Sequence, residues 1–284
     1  MRKLKYYLDK CADVFISVKG DDKLLIGKDE MMDFVSRIYS AEFVNRSQAT
    51  RLTNLSYLGG VDVSAKIKKG QKLNVATYVM YLQSYKSLFG NTCAKGQNCY
   101  KPCLLTSGRV KMDVKEFKIL RARYFRTILF YVNRDYFNRW LFAEIDAHSK
   151  LHQDFMVRLN GTSDLSPLLF RVEGVDVLTR FPDTMFYDYT KISKRAELIR
   201  DNYHLTFSFD GYNMDECLEM MSKGINVSIV VDGSMPEKYM GVEVFSMDDT
   251  DLRPLDEQIG KFGYLKLKET LNKVYDTKFI IRLA

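Results

Sequence analysis

Residues 203–233, YHLTFSFDGYNMDECLEMMSKGINVSIVVDG, decide the fold class. The runs at the two ends are rich in β-branched and aromatic residues and close on Asp-Gly, whereas NMDECLEMMSKG between them is helical text. Strand, helix and like strand in succession predict a βαβ unit, and such units build parallel sheets with crossover helices. Working outward, MFYDYTK (185–191) and FMVRLNG (155–161) read as earlier strands, with helical SKRAELIRD (193–201) among them. MGVEVFSMDD (240–249) and then FGYLKLK (262–268) or KFIIRLA (278–284) continue the series. LNVATYVMYL (73–82) is an unbroken apolar run, the pattern of a strand covered on both faces.

The sum is six to eight mostly parallel strands, which predicts a full or partial (β/α) barrel with an N-terminal extension. Several repeats fall short of the roughly 30 residues per unit of a regular eightfold barrel, so an incomplete barrel is favoured. Two amphipathic helices are expected before residue 150: one carries Phe117, Leu120, Tyr124, Ile128 and Tyr131 on a single stripe, the other spans about Asp135 to His148. Residues 1–70 mix short apolar runs with turn signals at Gly20-Asp21-Asp22 and Gly59-Gly60, and residues 28–45 read as a helix. They are expected to form an N-terminal layer or small subdomain, with residues 71–284 as the barrel-like domain that carries the chemistry.

Among 284 residues, 46% are hydrophobic and 28% charged, the balance of a globular protein. No apolar run approaches the roughly 20 residues that span a bilayer, and MRKLKYYLDKCADVF is basic but lacks the apolar core of a signal peptide. The expectation is a cytoplasmic chain without a membrane partner. A net charge of +7 is compatible with polyanion binding without demanding it. Five cysteines, three of them close together, point to metal or redox chemistry rather than to a disulfide framework.

Those three lie in NTCAKGQNCYKPCLLTSGR (91–109), where five and then three residues separate Cys93, Cys99 and Cys103. Gly90, Gly96 and Pro102 make the segment a loop directly after the first buried strand, at the end of the sheet where ligands collect. Thiolates at short spacing can wrap one soft metal centre, either an iron–sulfur cluster or zinc. A closed zinc site would need a fourth donor from Cys217, Cys11 or a histidine, whereas a [4Fe-4S] cluster on three cysteines leaves one iron open. Three reduced thiols packed as small hydrophobes are the competing reading.

A strand followed by the three-cysteine loop, an arginine-bearing helix, RLNGTSDL (158–165) and FYDYTK (186–191) resembles the three-cysteine phage and plasmid proteins of the gene-product-88-like type. The resemblance runs from about Leu73 to Lys268 and includes MDDTDLRPLD (247–256). It extends distantly to radical S-adenosylmethionine enzymes, which combine a partial barrel, a cluster loop after the first strand and an open iron. Their usual loop has three and then two residues between cysteines, a departure from the spacing here. The resemblance implies a cluster on Cys93, Cys99 and Cys103, with S-adenosylmethionine as a candidate co-substrate; the positive charge and the mobile-element context suggest a nucleotide or nucleic acid as partner.

Polar residues recur where the strands end: Asn160 with Asp164, Asp188 with Lys191, Asp210, Asp232, and Asp248 with Asp249. On the barrel reading they rim one mouth with the cysteine loop. Asp164, Lys191 and Asp210 are the candidate catalytic groups, and Asn160, Thr162, Ser163, Asp232 and Arg253 the candidate cofactor-binding groups. Strand-ending and helix-capping duty is the alternative for each aspartate. Arg109, Lys111, Lys115, Lys118, Arg121, Arg123 and Arg126, interleaved with Tyr124 and Phe125, could track a phosphate backbone or form a solvated helix face. A zinc-stabilised nucleic-acid-binding module without catalysis is therefore the second functional reading.

Overall fold

The computed structural model describes residues 2–61, 67, 72–100, 102–103, 107–234, 237–269 and 277–282. It opens with the helix Arg2–Asp9 and an antiparallel hairpin of β1 (Val14–Val18) and β2 (Asp21–Ile26). Helices Lys28–Tyr39 and Arg46–Thr53 follow, so the helix expected over 28–45 stops at Tyr39. A short strand β3 (Gly59–Gly60) then pairs antiparallel with β4 (Val75–Met80), the first strand of a long mixed sheet.

All six residues of β4 are buried, as its continuous apolar text requires. Parallel to it run β5 (Asp154–Arg158) and, beyond a small ribbon of β6 (Arg171–Val172) and β7 (Val175–Asp176), β8 (Met185–Thr190) and β9 (Tyr203–Ser208). Next come β10 (Val227–Asp232) and, after β11 (Lys238–Tyr239) and β12 (Val242–Ser246), β13 (Phe262–Lys266), which inserts between β10 and β12. The strand expected in KFIIRLA is β14 (Ile280–Arg282), also parallel to β10. The sheet is thus mixed α/β and mostly parallel, with antiparallel β3 and β11 as its edges; among the described residues no pairing joins the two edges, and the sheet is open.

From β4 to β10 the spatial order advances one way, so right-handed crossovers put the connecting helices on one face. Helices Lys118–Val132 and Arg134–Ser149 cover β4 and β5 there, and their buried Leu120, Ile128, Phe137 and Ile145 share one apolar cluster with Ile26, Phe34 and Ile38. The N-terminal residues therefore pack as a layer over these helices. Asn133 fastens them by donating from Nδ2 to Ile38 O at 2.8 Å and Ala41 O at 2.9 Å. The next helix, Met214–Ser222, links β9 to β10 and seals a second cluster with Cys217, Met220, Val227 and Ile229.

At the carboxyl end β9 and β10 part company. Only Val227 and Ser228 of β10 pair with β9, whereas Val230 to Asp232 pair with β14. The inserted C-terminal segment crowds Gly211, whose φ of +100° and 2.8 Å approach to the Lys278 backbone leave no room for a Cβ.

Glu144, fully buried, joins the N-terminal layer to the sheet. Its carboxylate accepts from Tyr78 Oη at 2.5 Å, Leu58 N at 3.1 Å and Gly59 N at 3.4 Å. Burial pushes its pKa up from 4.5, opposed by those hydrogen bonds. Glu144→Leu leaves the Tyr78 hydroxyl and the Leu58 N–H without acceptors, at about 1–3 kcal/mol each, and is expected to lower Tm by roughly 5–15 °C in calorimetry. Since the folded pKa lies above the unfolded value, stability falls as pH rises through the window above 4.5. That slope is absent in Glu144→Gln.

Candidate functional site

The cysteine loop leaves β4 and folds over the carboxyl ends of its neighbours as a chain of tight turns. Gly96 N donates to Cys93 O at 3.0 Å, Cys99 N to Gly96 O at 3.2 Å, and Cys103 N to Tyr100 O at 3.4 Å. Gly96 is required by close approach: a Cβ there would sit 2.9 Å from the Tyr85 ring and 3.2 Å from Cys93 Sγ. The loop is tied down from several sides. Lys95 Nζ pairs with Glu216 on the helix after β9 at 3.0 Å, Thr277 donates to Asn98 O at 2.8 Å, and Asp164 N donates to Thr92 O at 2.8 Å. Tyr85 and Tyr100 stack with centroids 5.5 Å apart, and Cys103 Sγ lies 3.4 Å from Ser84 Oγ.

Cys99 is buried, and Cys93 and Cys103 are half-buried. Burial pushes the Cys93 thiol up to about 12, opposed by Lys191. Burial raises Cys99 too, again against Lys191. Burial alone would lower the Lys191 ammonium, yet Cys99, Cys93, Asp164 and Cys103 together hold its pKa raised. Lys191 thus acts on all three sulfurs, and Cys103 adds to the rise of Cys93 and Cys99. Among the described residues, no three His, Cys, Asp or Glu side chains are gathered so as to hold a metal ion.

The turn after β5 carries four of the expected site residues, and all four are buried. Asn160 N and Nδ2 donate to the two Asp188 oxygens at 2.8 Å each, and Asn160 Oδ1 accepts from Ser163 Oγ and Leu165 N, both at 2.8 Å. Thr162 Oγ1 donates to Leu82 O at 2.5 Å. Asp164 accepts from Thr190 Oγ1 at 2.9 Å, from Lys191 N at 3.0 Å and from Arg195. Arg195, 4% exposed, also reaches Asp188 at 3.5 Å and the Tyr203 hydroxyl at 2.6 Å. The turn is therefore a closed polar knot in which Asn160, Ser163 and Asp164 position backbone. Gly161 lies at its centre, where a Cβ would fall 2.6 Å from the Tyr81 ring.

Asp210 is placed beside the loop, where its charge acts on Cys99 and Cys217. Its Oδ1 accepts from Tyr212 N at 2.9 Å and Asn213 N at 3.1 Å, an Asx turn that ends the strand ahead of the helix at Met214. Asp232 stands apart, exposed, with its carboxylate 3.7 Å from Arg282 Nε. Arg253 is 2% exposed on the other face of the sheet, where Nη2 donates to Thr250 O at 2.7 Å. The structure thus brings Lys191, Asp164 and Asp210 to the three cysteines and leaves Asp232 and Arg253 away from them. Arg195 and Tyr203 escaped the sequence reading because SKRAELIRD reads as a solvated helix; it forms a short 3-10 turn that points Arg195 inward.

The basic stretch after the loop divides: Arg109, Lys115 and Lys118 are exposed, whereas its later arginines are engaged within the fold. Arg126 Nε donates to Tyr57 O at 3.1 Å, Arg121 pairs with Glu30, and Arg123 is buried over the Tyr81 ring at 4.6 Å.

Three cysteines on a loop after the first parallel strand, knotted to an Asn-Gly-Thr-Ser-Asp turn after the second, agree with a family-level match. The model of the gene product 88 family matches residues 45–276. The chain belongs to the gene product 88 family. No curated protein and no solved structure matches it. The family match begins well before Leu73, so the helix Arg46–Thr53 and β3 are part of the gene product 88 unit rather than additions to it.

Within this family member, Arg195→Met strands two buried carboxylates, a loss of about 3–5 kcal/mol when one partner of a buried ion pair is removed. Urea unfolding is expected to show that loss as a lower midpoint at unchanged slope. A change under about 1 kcal/mol would mean that the turn is held by other contacts.

Proposed function

We propose that this gene product 88 protein is an iron–sulfur enzyme, with Cys93, Cys99 and Cys103 as ligands of a [4Fe-4S] cluster. The observation that carries the reading is the shared electrostatics of the three thiols: one loop delivers them to the carboxyl ends of parallel strands, where a single lysine faces all of them. The donor set favours a cluster over a lone zinc ion. A tetrahedral zinc site with 2.3 Å bonds needs sulfurs about 3.8 Å apart and a fourth donor. The described thiols influence one another without forming such a group, and a cluster of several metals accepts a wider spacing.

A cluster on three cysteines supplies one iron with a free coordination position. What the chain itself contributes is local. Lys191 stabilises the thiolates that ligation requires and lowers the cost of their burial. Asp164 holds the Lys191 backbone N–H, so the same carboxylate that anchors the turn also aims the lysine. Asp164 has three donors already, which suits it to positioning rather than proton transfer.

The finer reading is of a radical S-adenosylmethionine-like enzyme on an incomplete (β/α) barrel, supported by the one-way strand order and helices on one face. Its substrate is a nucleotide or a nucleic-acid strand: Arg121, Arg123 and Arg126 are engaged within the fold, and Arg109, Lys115 and Lys118 remain exposed for an anionic partner.

Anaerobic purification is expected to give a brown protein with about four irons per chain. Cys99→Ala should lose iron and colour, while Cys217→Ala, outside the trio, keeps both. A colourless protein carrying one zinc under those conditions would falsify the cluster.

A further inference from the structure

The helices and the Arg195 knot occupy one face of the central sheet. Strand residues alternate between faces, so Val157, Phe186 and Leu205, all in the helix-covered cluster, have neighbours on the opposite face. Those neighbours are Arg158, Tyr187 and His204, and the register sets Val79 beside Arg158, Tyr187 beside His204 and Tyr189 beside Thr206. The segment after β12 covers this second face. Arg158 Nη1 donates to Asp251 Oδ2 at 2.7 Å, Tyr187 Oη donates to the same oxygen at 3.3 Å, and the Arg158 guanidinium lies 4.6 Å over the Tyr189 ring. Arg253 Nη1 stands 3.3 Å from Asp256 Oδ2.

A parallel sheet covered on both faces is ordinarily apolar on both. Here Thr77 and Thr206 are fully buried, and neither hydroxyl has a hydrogen-bond partner. The same holds for the Nε atoms of Arg158 and Arg253 and for Nε2 of His204. A buried polar atom without a partner is disfavoured, and native structures hold few of them. Five on one face are not explained by folding. Asp251 orients the Arg158 guanidinium, Arg253 Nη1 and Asp256 Oδ2 stand 3.3 Å apart without a hydrogen bond between them, and each arginine Nε–H is without an acceptor. Arg158 and His204 keep partial exposure at the margin of this face, whereas the unpartnered atoms themselves are buried. Donor nitrogens outnumber acceptor-only atoms among these unpartnered groups, with Asp256 Oδ2 as the carboxylate oxygen left beside them.

We propose that this face binds a small oxyanion-bearing ligand, a phosphate or a carboxylate, with Arg253 and Arg158 as its anion-binding residues and His204 and Thr206 as further donors. The site is argued without the cysteines. If the substrate reading above holds, the substrate's anionic group sits here, on the far face from the Arg195 knot.

The test is calorimetric titration of the full chain, free of metal, with inorganic phosphate, adenosine monophosphate and succinate at constant ionic strength. Saturable one-to-one binding is expected for the phosphate probes or for succinate, which separates the two oxyanions. Arg253→Gln weakens it at least tenfold, and Cys99→Ala leaves it unchanged, so failure here and failure of the cluster are told apart. If Arg253→Gln does not fold, the arginine Nε–H resonances of the unaltered protein decide the matter. Titration should move those of Arg158 and Arg253. No saturable binding of any probe, binding indifferent to Arg253→Gln, or shifts confined to exposed arginines overturns the proposal, and water is then the partner of these atoms.

Discussion

One buried guanidinium sets the geometry at the carboxyl end of the sheet. Arg195 bridges Asp164 on the turn after β5 and Asp188 within β8, and it takes Tyr203 of β9 into the same hydrogen-bonded group. Three neighbouring strands are thereby locked at their ends. Asp164 passes the constraint on in two directions, through its N–H to the cysteine loop at Thr92 O and through its carboxylate to the backbone of Lys191. Two carboxylates around one guanidinium in a dry interior are costly to assemble, and burial pushes Asp188 up despite Arg195. Such a group is a poor way to gain stability. It is a good way to fix where a loop and a lysine stand relative to each other.

The parallel sheet was legible because its strands are covered on both faces, and continuous apolar text such as VATYVM has no other comfortable place. The two long helices were legible for the same reason: their apolar stripes repeat at helical spacing and meet the sheet. The order β10, β13, β12 was not legible, since local pattern does not reveal which later strand will insert beside an earlier one. β14 was legible as a strand in KFIIRLA, but its place was not, because its three residues pair with only the last half of β10. At the site, chemistry-bearing residue types pointed to Cys93, Cys99 and Cys103, and strand-ending position to Asp164, Lys191 and Asp210. Their partners were hidden. Arg195 sits in a segment with the composition of an exposed helix, and Arg158, His204 and Thr206 alternate with apolar residues in the manner of a solvent-facing strand edge. They face instead the covered side of a sheet.

That contrast separates the two faces by purpose. The helix-covered face of the sheet carries Tyr78, Val157, Phe186 and Leu205 and holds the molecule together by area removed from water. The other face carries arginine, histidine, tyrosine and threonine under a cap of residues 247–256, and contributes little of that kind. A chain selected for stability alone would have filled it with valine and isoleucine.

The cysteine loop departs from folding needs in the same sense. Burial raises the Cys93 and Cys99 thiols, and the half-buried Lys191 opposes that rise, while the sulfurs and Asp164 hold its own pKa raised. Deprotonating the sulfurs would satisfy the lysine, but three thiolates against one ammonium carry excess negative charge that the surrounding apolar residues cannot screen. One thiolate balances the lysine, whereas ligation by all three sulfurs would need a metal centre to supply the remaining positive charge. On the reading we propose, Lys191 therefore supports ligation beside the cysteine spacing.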